Sequence, residues 1–531
     1  MRKLFTLITL FAGAVAATAT DYTDELEVII DGMSTKQPAV ISVDEQGDGK
    51  YTLSLNNFVL MGQMPVGNIV LKDVEGTVAP EVTTIQTKQS ISIEPGNMEG
   101  ISEKDWIGPN LGLVPVDMTA EIRDNKLYTV INIAMAGMKI GVVFGNGGYQ
   151  IGNSDFELFH TAKIADGEGK NEVTSDEPNC WHSFMSGSSD NPTIAYLAGY
   201  APHTFISDIT RPGTQGKSSV LVTSVDMWFT IANGTITTGR INAGSTTAAD
   251  LSNHSWLDLS QTATDANGDP FHAIMNGMPD SLSVWVKFKQ KTPKADFPYA
   301  TVNAVITDGT YYQDPEDKEY TNVLAKATNN KIESKNFEWQ KLVVPFDYAT
   351  YEANNAAGKA ILVTISTNAT PGKGSTDSIY VDDLELIYNC SATAISVKGT
   401  PIANFGSAAD NTYEVIVDGE SADITADDIE VTTDGKGARV TIETADVDCI
   451  GGGSDAIITV TSNDLKKSNT YYVNTRSAQY AGINNASVNA GGKEEVKAIY
   501  NMNGQMVKTP AKGSVCIVKY TNGKTVKKIV K

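Results

Sequence analysis

Apolar and polar positions alternate along most of the chain. In Tyr51-Thr52-Leu53-Ser54-Leu55 the two kinds fall on opposite faces, as a strand with one wet face requires. Runs rich in Val, Ile, Thr and Tyr are broken about every ten residues by Gly, Asn, Asp and Pro, which is the rhythm of antiparallel sheets. Helical periodicity is scarce. The pattern predicts an all-β protein of barrels and sandwiches. Within residues 21–149 it predicts eight strands: Glu25–Ile30, Ala39–Asp44, Tyr51–Phe58, Asn68–Val78, Ser90–Glu94, Asp117–Arg123, Lys126–Ala134 and Met138–Phe144. Eight antiparallel strands suit a closed barrel, which leaves no exposed edge. Met61, Met64, Met98, Met118, Met135 and Met138 fall in this block, and core filling is their expected role.

The remaining pattern divides into a large block at 150–390, a small sandwich at 391–482 and a short unit at 483–531. In the sandwich, Ile395–Val397, Tyr413–Val417, Ala438–Thr444, Ala456–Thr461 and Tyr471–Asn474 read as strands. At 531 residues the chain has length for several independent cores. Its 41 Lys and Arg against 63 Asp and Glu give a net charge of -22, which repels phosphate backbones and excludes nucleic acid as a partner. Met1-Arg2-Lys3, the apolar run Leu4–Ala17 and the small residues around Ala19 read as a signal peptide over residues 1–20. The run is shorter than the about 20 residues of a membrane span, so no transmembrane anchor is expected. The mature protein is then exported, secreted or at the cell surface.

The first block resembles the calycin-like barrel domain of secreted Bacteroidetes proteins, through Tyr22-Thr23-Asp24-Glu25-Leu26, Phe58-Val59-Leu60 and Met64-Pro65-Val66-Gly67-Asn68-Ile69. The G-x-W opening of lipocalins is absent. Residues 150–390 resemble the carbohydrate metabolism domain (PCMD) of such proteins. The residues behind this are Asn153–Glu157, Glu177–Phe184, Arg211-Pro212-Gly213, Thr238–Gly244, Pro279–Phe288, Trp339–Leu342 and Ile379–Tyr388. That resemblance implies a jelly-roll β-sandwich akin to carbohydrate-binding modules, with a poly- or oligosaccharide as partner. Residues 391–482 look like an immunoglobulin-like or cadherin-like spacer. Tyr500-Asn501-Met502-Asn503-Gly504-Gln505, Val507, Lys512-Gly513 and Val518 resemble a type IX secretion sorting domain, which implies the secretion machinery as a partner; the usual aromatic after Lys512-Gly513 is replaced near Cys516. This tail carries nine Lys against two Glu from Lys493 onward, opposite in sign to the whole chain.

Candidate chemistry falls mostly in the large block, which holds all five histidines and every tryptophan except Trp106. In Ser281–Lys289 the alternation sets Trp285 and Lys287 on the polar face, where an indole can stack on a pyranose ring. Trp181 with His182, and Trp256 with His254, are further sugar-contact candidates. Carbohydrate-binding jelly rolls of this kind hold a structural calcium between a first-strand Glu and a last-strand Asp, here Glu157 and Asp382; a salt bridge or a backbone-bonded Asp is the alternative. Glycoside hydrolysis needs two placed carboxylates. Glu157, Glu177, Asp226 and Asp258 are available, but no motif marks a pair. Noncovalent glycan binding is therefore the expected function, with a hydrolase or an adhesion protein as alternatives.

Cys180, Cys390, Cys449 and Cys516 form no C-x-x-C pair, and a Cys180–Cys390 bridge cannot be argued from spacing. The histidines show no zinc-ligand spacing. Gly213–Ser218 only superficially resembles a phosphate-binding loop. Asp265, Asn267 and Asp269 open like a calcium loop, but Pro270 stands where an EF-hand needs glycine.

Overall fold

The computed structural model describes residues 19–31, 33–135, 138–165, 171–189, 191–418, 421–447, 452–478, 496–501, 505–512, 514–520 and 525–529. The segment up to residue 18 that reads as a signal peptide, Cys449, and Gly504 and Gly513 of the sorting-like pattern lie outside them. The chain forms two compact units, 1–147 and 148–531.

The first unit is a closed barrel of eight antiparallel strands in sequence order: β1 (Thr20–Ile30), β2 (Met33–Gly47), β3 (Lys50–Leu60), β4 (Met64–Val78), β5 (Thr83–Ser92), β6 (Leu113–Arg123), β7 (Lys126–Met135) and β8 (Met138–Phe144). It closes through Leu26 opposite Phe144 and Ile30 opposite Ile140. All eight predicted strands are present. The fifth begins earlier, because Thr83–Lys88, mostly polar, pairs with Asp117–Ile122 without an apolar run to announce it. Alternation sends Leu26, Ile41, Leu53, Leu71, Ile85, Val116 and Met118 inward. Gly67 sits at φ 130° with Glu94 O so close that a Cβ would collide with it, so the Val66-Gly67-Asn68 segment tolerates no side chain there.

The methionines correct the sequence reading. Met118 alone of the six is fully buried, and Met61, Met64, Met98 and Met138 lie exposed. Branched aliphatics fill the barrel instead and leave an apolar cavity of only about 70 Å³. Drug-sized ligands occupy roughly 300–1,000 Å³, so the barrel interior is a packed core.

The second unit begins with the jelly-roll sandwich. One five-stranded sheet runs Thr204–Ser207, Ser219–Thr223, Ser378–Ile387, Ser281–Lys289, Gln340–Pro345. The other runs Thr235–Thr237, Ala360–Ser366, Ala300–Thr307, Val323–Ile332, with Ala273–Ile274 also paired to Ala360–Ser366. Leu282, Val284, Val286 and Phe288 of the first sheet and Val302, Ala304, Ile306, Ile361, Val363 and Ile365 of the second are fully buried. Each set shares one face of its strand by the period of two.

The immunoglobulin-like sandwich pairs Thr400–Pro401, Ala392–Val397 and Ile429–Thr433 in one sheet. The other runs Thr412–Val417, Ser468–Ser477, Ser454–Thr461, Arg439–Asp446, its first pair parallel. Val496–Asn501, Val515–Tyr520 and Thr525–Ile529 form the terminal sheet. Cys180, Cys390 and Cys516 are free thiols, so no Cys180–Cys390 bridge exists. Burial, with Asp269 and Asp265 nearby, pushes the Cys180 thiol up to about 11 and leaves it unreactive at neutral pH. Among the described residues no helix is long and apolar enough to cross a membrane.

Asp280 clamps the sandwich to the jelly roll. Its two carboxylate oxygens accept the N–H groups of Asn389 and Lys436, both at 2.7 Å, and Met278 N–H donates to Asn463 Oδ1 at 2.8 Å. Asp280→Ala orphans two backbone donors and should cost about 1–3 kcal/mol of stability. Urea unfolding of the variant beside the parent chain measures it, and an unchanged midpoint would remove the clamp from this account.

Candidate functional site

Alternation also determines the outward face of the second jelly-roll sheet. At one end of that face Val305, Ala360 and Leu362 are apolar and lie beneath Leu257, Tyr312 and Tyr320. These come from the covering strands His254–Leu257 and Tyr312–Asp314, with Tyr320 just beyond. At the other end the same face is polar. Thr235, Thr301, Asn303, Thr364 and Ser366 floor a cavity of about 400 Å³.

The wall combines aromatic and polar groups. Phe184, Phe229 and His254 line it, with Asn233, Asn242, Asn253 and Asn330. Asn233 Oδ1, Asn303 Oδ1 and Thr364 Oγ1 are buried and have no hydrogen-bond partner. Buried polar atoms are normally satisfied, so three such acceptors around one cavity mark a surface shaped for a polar ligand. Asp314 is the single carboxylate among the described lining residues. It accepts from Asn303 Nδ2 at 3.3 Å. Burial raises its pKa, against the opposing pull of Asn303 and Lys326.

A short hairpin, Val225–Asp226 paired with Ile231–Ala232, overhangs the cavity and contributes Met227, Phe229 and Thr230 to its lining. At its tip Trp228 is 98% exposed and adopts φ 70°, a conformation uncommon for so bulky a residue. Asp226 Oδ1 holds the turn by accepting Trp228 N–H at 2.9 Å. Sequence reading passed over Trp228 because no strand alternation surrounds it; Met227-Trp228-Phe229 has the composition of a core segment.

The predicted site residues are not gathered in one place. Trp181 is fully buried, 5.2 Å from the Phe156 ring, with its N–H on Gly152 O; it is core and offers no platform. His182 is also fully buried. Trp256 is half-buried against Tyr311 on the covering sheet, while its neighbour His254 reaches the cavity. Trp285 and Lys287 lie on the other five-stranded sheet. There Arg211 covers the Trp285 ring at 5.5 Å, and Lys287 sits 4.4 Å from the Phe337 ring.

Glu157 and Asp382 both serve the loop Arg211–Ser218. Glu157 Oε1 accepts the N–H groups of Lys217 and Ser218 at 2.9 and 3.0 Å, and Asp382 Oδ2 accepts that of Arg211 at 2.8 Å. Asp382 is thus backbone-bonded, the alternative to a metal ligand weighed from the sequence. Burial pushes its carboxyl up to about 6. The phosphate-loop look-alike cradles a carboxylate of its own chain.

Comparison with known proteins agrees with the first unit. Residues 18–147 match the family model of the calycin-like β-barrel domain. No curated protein matches the chain. Among solved structures, the mosquito-larvicidal Cry4Aa toxin of Bacillus thuringiensis aligns at 8% identity and a TM-score of 0.15. The alignment covers 68% of this chain and 52% of the toxin, so the chain spans about half the length of that protein.

Proposed function

We propose that the jelly-roll cavity binds an oligo- or polysaccharide noncovalently, and that the chain acts as an exported glycan-binding protein in carbohydrate acquisition. One observation carries the reading: a polar sheet face with unsatisfied acceptors lies beside aromatic side chains. Sugars present both kinds of surface, hydroxyls for Asn and Thr and C–H faces for aromatic rings. The single lining carboxylate favours binding over hydrolysis, which needs two. On this reading residues 150–390 are a PCMD-type domain of a Bacteroidetes-type bacterium, and the terminal β unit is the address read by a type IX-like secretion pathway.

The test is a glycan array with the mature chain, in calcium and in EGTA, followed by titration of the hits. Asn303→Ala should weaken binding about tenfold or more, given the roughly 1–3 kcal/mol that a buried polar contact is worth, and Trp228→Ala should weaken it too, by removing the exposed indole at the hairpin tip beside the cavity. Sugar release from a polysaccharide, abolished by Asp314→Asn, would instead make the cavity an active site. Absence of both binding and turnover leaves a surface or adhesion protein.

A further inference from the structure

The sequence reading dismissed zinc because the histidines are scattered. The fold gathers two of them. His160 on Phe159–Ala165 stands directly opposite Glu177 on Glu172–Pro178 in an antiparallel hairpin. His182 follows the hairpin, and its backbone pairs with Thr237. Asp265 arrives from a tight turn in which its Oδ1 accepts the N–H groups of Asn267 and Asp269, at 2.9 and 2.8 Å.

These side chains point their remaining atoms at one another. His160 Nε2 lies 3.4 Å from Asp265 Oδ2 and 3.8 Å from Glu177 Oε2, and His182 Nε2 lies 3.5 Å from Asp265 Oδ2. None of the four atoms has a hydrogen-bond partner, and all are buried. Four donors set tetrahedrally at about 2.0–2.2 Å from a shared ion stand roughly 3.3–3.6 Å from each other. His160 Nε2 stands close to those spacings from both carboxylates, at distances too long for good hydrogen bonds, and one atom from each of His160, Glu177 and Asp265 lies within 4.8 Å of the other two.

The outer atoms of three of these groups are anchored. His160 Nδ1 lies 3.2 Å from Asn179 Oδ1, which leaves the Nε2 lone pair facing inward. Glu177 Oε1 accepts Ser183 N–H at 2.7 Å, Ser186 O–H at 3.1 Å and the Ser183 hydroxyl, while its Oε2 stays free. Metal ligands are held by such outer partners, which fix tautomer and orientation. An ordinary buried ion-pair cluster would direct hydrogen bonds inward instead.

We infer that His160, Glu177 and Asp265 hold one zinc ion that pins the Phe159–Pro178 hairpin to the turn at Asp265, with His182 beside Asp265 Oδ2. An imidazole with two carboxylates suits Zn2+; Ca2+ takes six to eight oxygens.

The experiment uses the full mature chain, stripped with a chelator and titrated with Zn2+, then with Co2+. One zinc per chain should survive gel filtration in elemental analysis, and Co2+ should give the intense visible bands of a tetrahedral N/O site. Asn179→Ala removes only the outer partner of His160 and should weaken Zn2+ binding 10- to 100-fold with the circular dichroism unchanged. Asp265→Asn should weaken it further. A folded parent chain that retains no zinc and shows no cobalt bands overturns the assignment. So does zinc kept with equal affinity by both variants, which would place the ion elsewhere. Where a variant fails to fold, the unmutated chain still tests the assignment, because absent cobalt bands overturn it.

Discussion

Replacing Trp181 by alanine should cost the second unit about 3–5 kcal/mol, the range for removing a fully buried large aromatic. The indole is sealed from solvent, packs on Phe156 and donates to Gly152 O at 3.2 Å. Truncation leaves a cavity and an orphaned carbonyl together. Trp181→Phe should recover much of the loss, because it restores ring volume and leaves only the hydrogen bond missing. Urea unfolding followed by tryptophan emission measures both variants. Were Trp181→Ala as stable as the parent chain yet deficient on glycan, the indole would have to be a sugar platform after all.

Acid should destabilise the same unit through His203. Its imidazole is buried, with Nδ1 2.8 Å from Thr223 O and the ring 5.0 Å from Phe184. Burial pulls its pKa from 6.5 down to about 4, against two backbone carbonyls that favour the charged form. The folded state therefore binds the proton less readily than the unfolded chain. The associated stability is complete above pH 6.5 and is lost as pH falls through 4; the full difference is roughly 3 kcal/mol. Asp382 works in the opposite sense, since a carboxyl raised to about 6 favours folding as it becomes protonated. The clean reading is thus a difference between chains. His203→Gln retains a donor for Thr223 O and should flatten the decline between pH 6.5 and 4. Parallel acid profiles for the two chains would rule His203 out.

The strand content was legible because a half-buried strand writes its burial into every second residue. Leu53 and Leu282 to Phe288 show this plainly. The barrel followed from eight such segments in succession. What the alternation could not convey was which sheet faces what. Ser281–Lys289 reads correctly as one apolar and one polar face, yet its Trp285 lies on a different sheet from the cavity. Trp181 looked exposed because Asn179-Cys180-Trp181-His182 has loop composition, although its ring turns inward. The histidine cluster was illegible for a different reason. A hairpin register sets Glu177 against His160, and a distant turn supplies Asp265. Such a set has no linear spacing to recognise. The one sequence signal was the loop at Asp265, which failed the rule for calcium while supplying a carboxylate to imidazoles.

The order of strands in the first jelly-roll sheet sets the order in which this domain can be completed. Ser378–Ile387 is the last strand of the sandwich to leave the ribosome, yet it lies between Ser219–Thr223 and Ser281–Lys289 and pairs with both. Until it arrives, those two segments have no shared partner, and each presents an open edge to any neighbouring chain. The barrel is built differently, since each strand joins the one just made. A nascent chain can therefore finish most of its first unit progressively. The jelly roll has to wait for nearly its whole length, with loop closure across more than a hundred residues. Truncation between Ser219 and Ile387 should leave the jelly-roll part of the fragment aggregating rather than folded as a smaller domain. A pathway that keeps the chain extended until synthesis is over would suit this arrangement of strands.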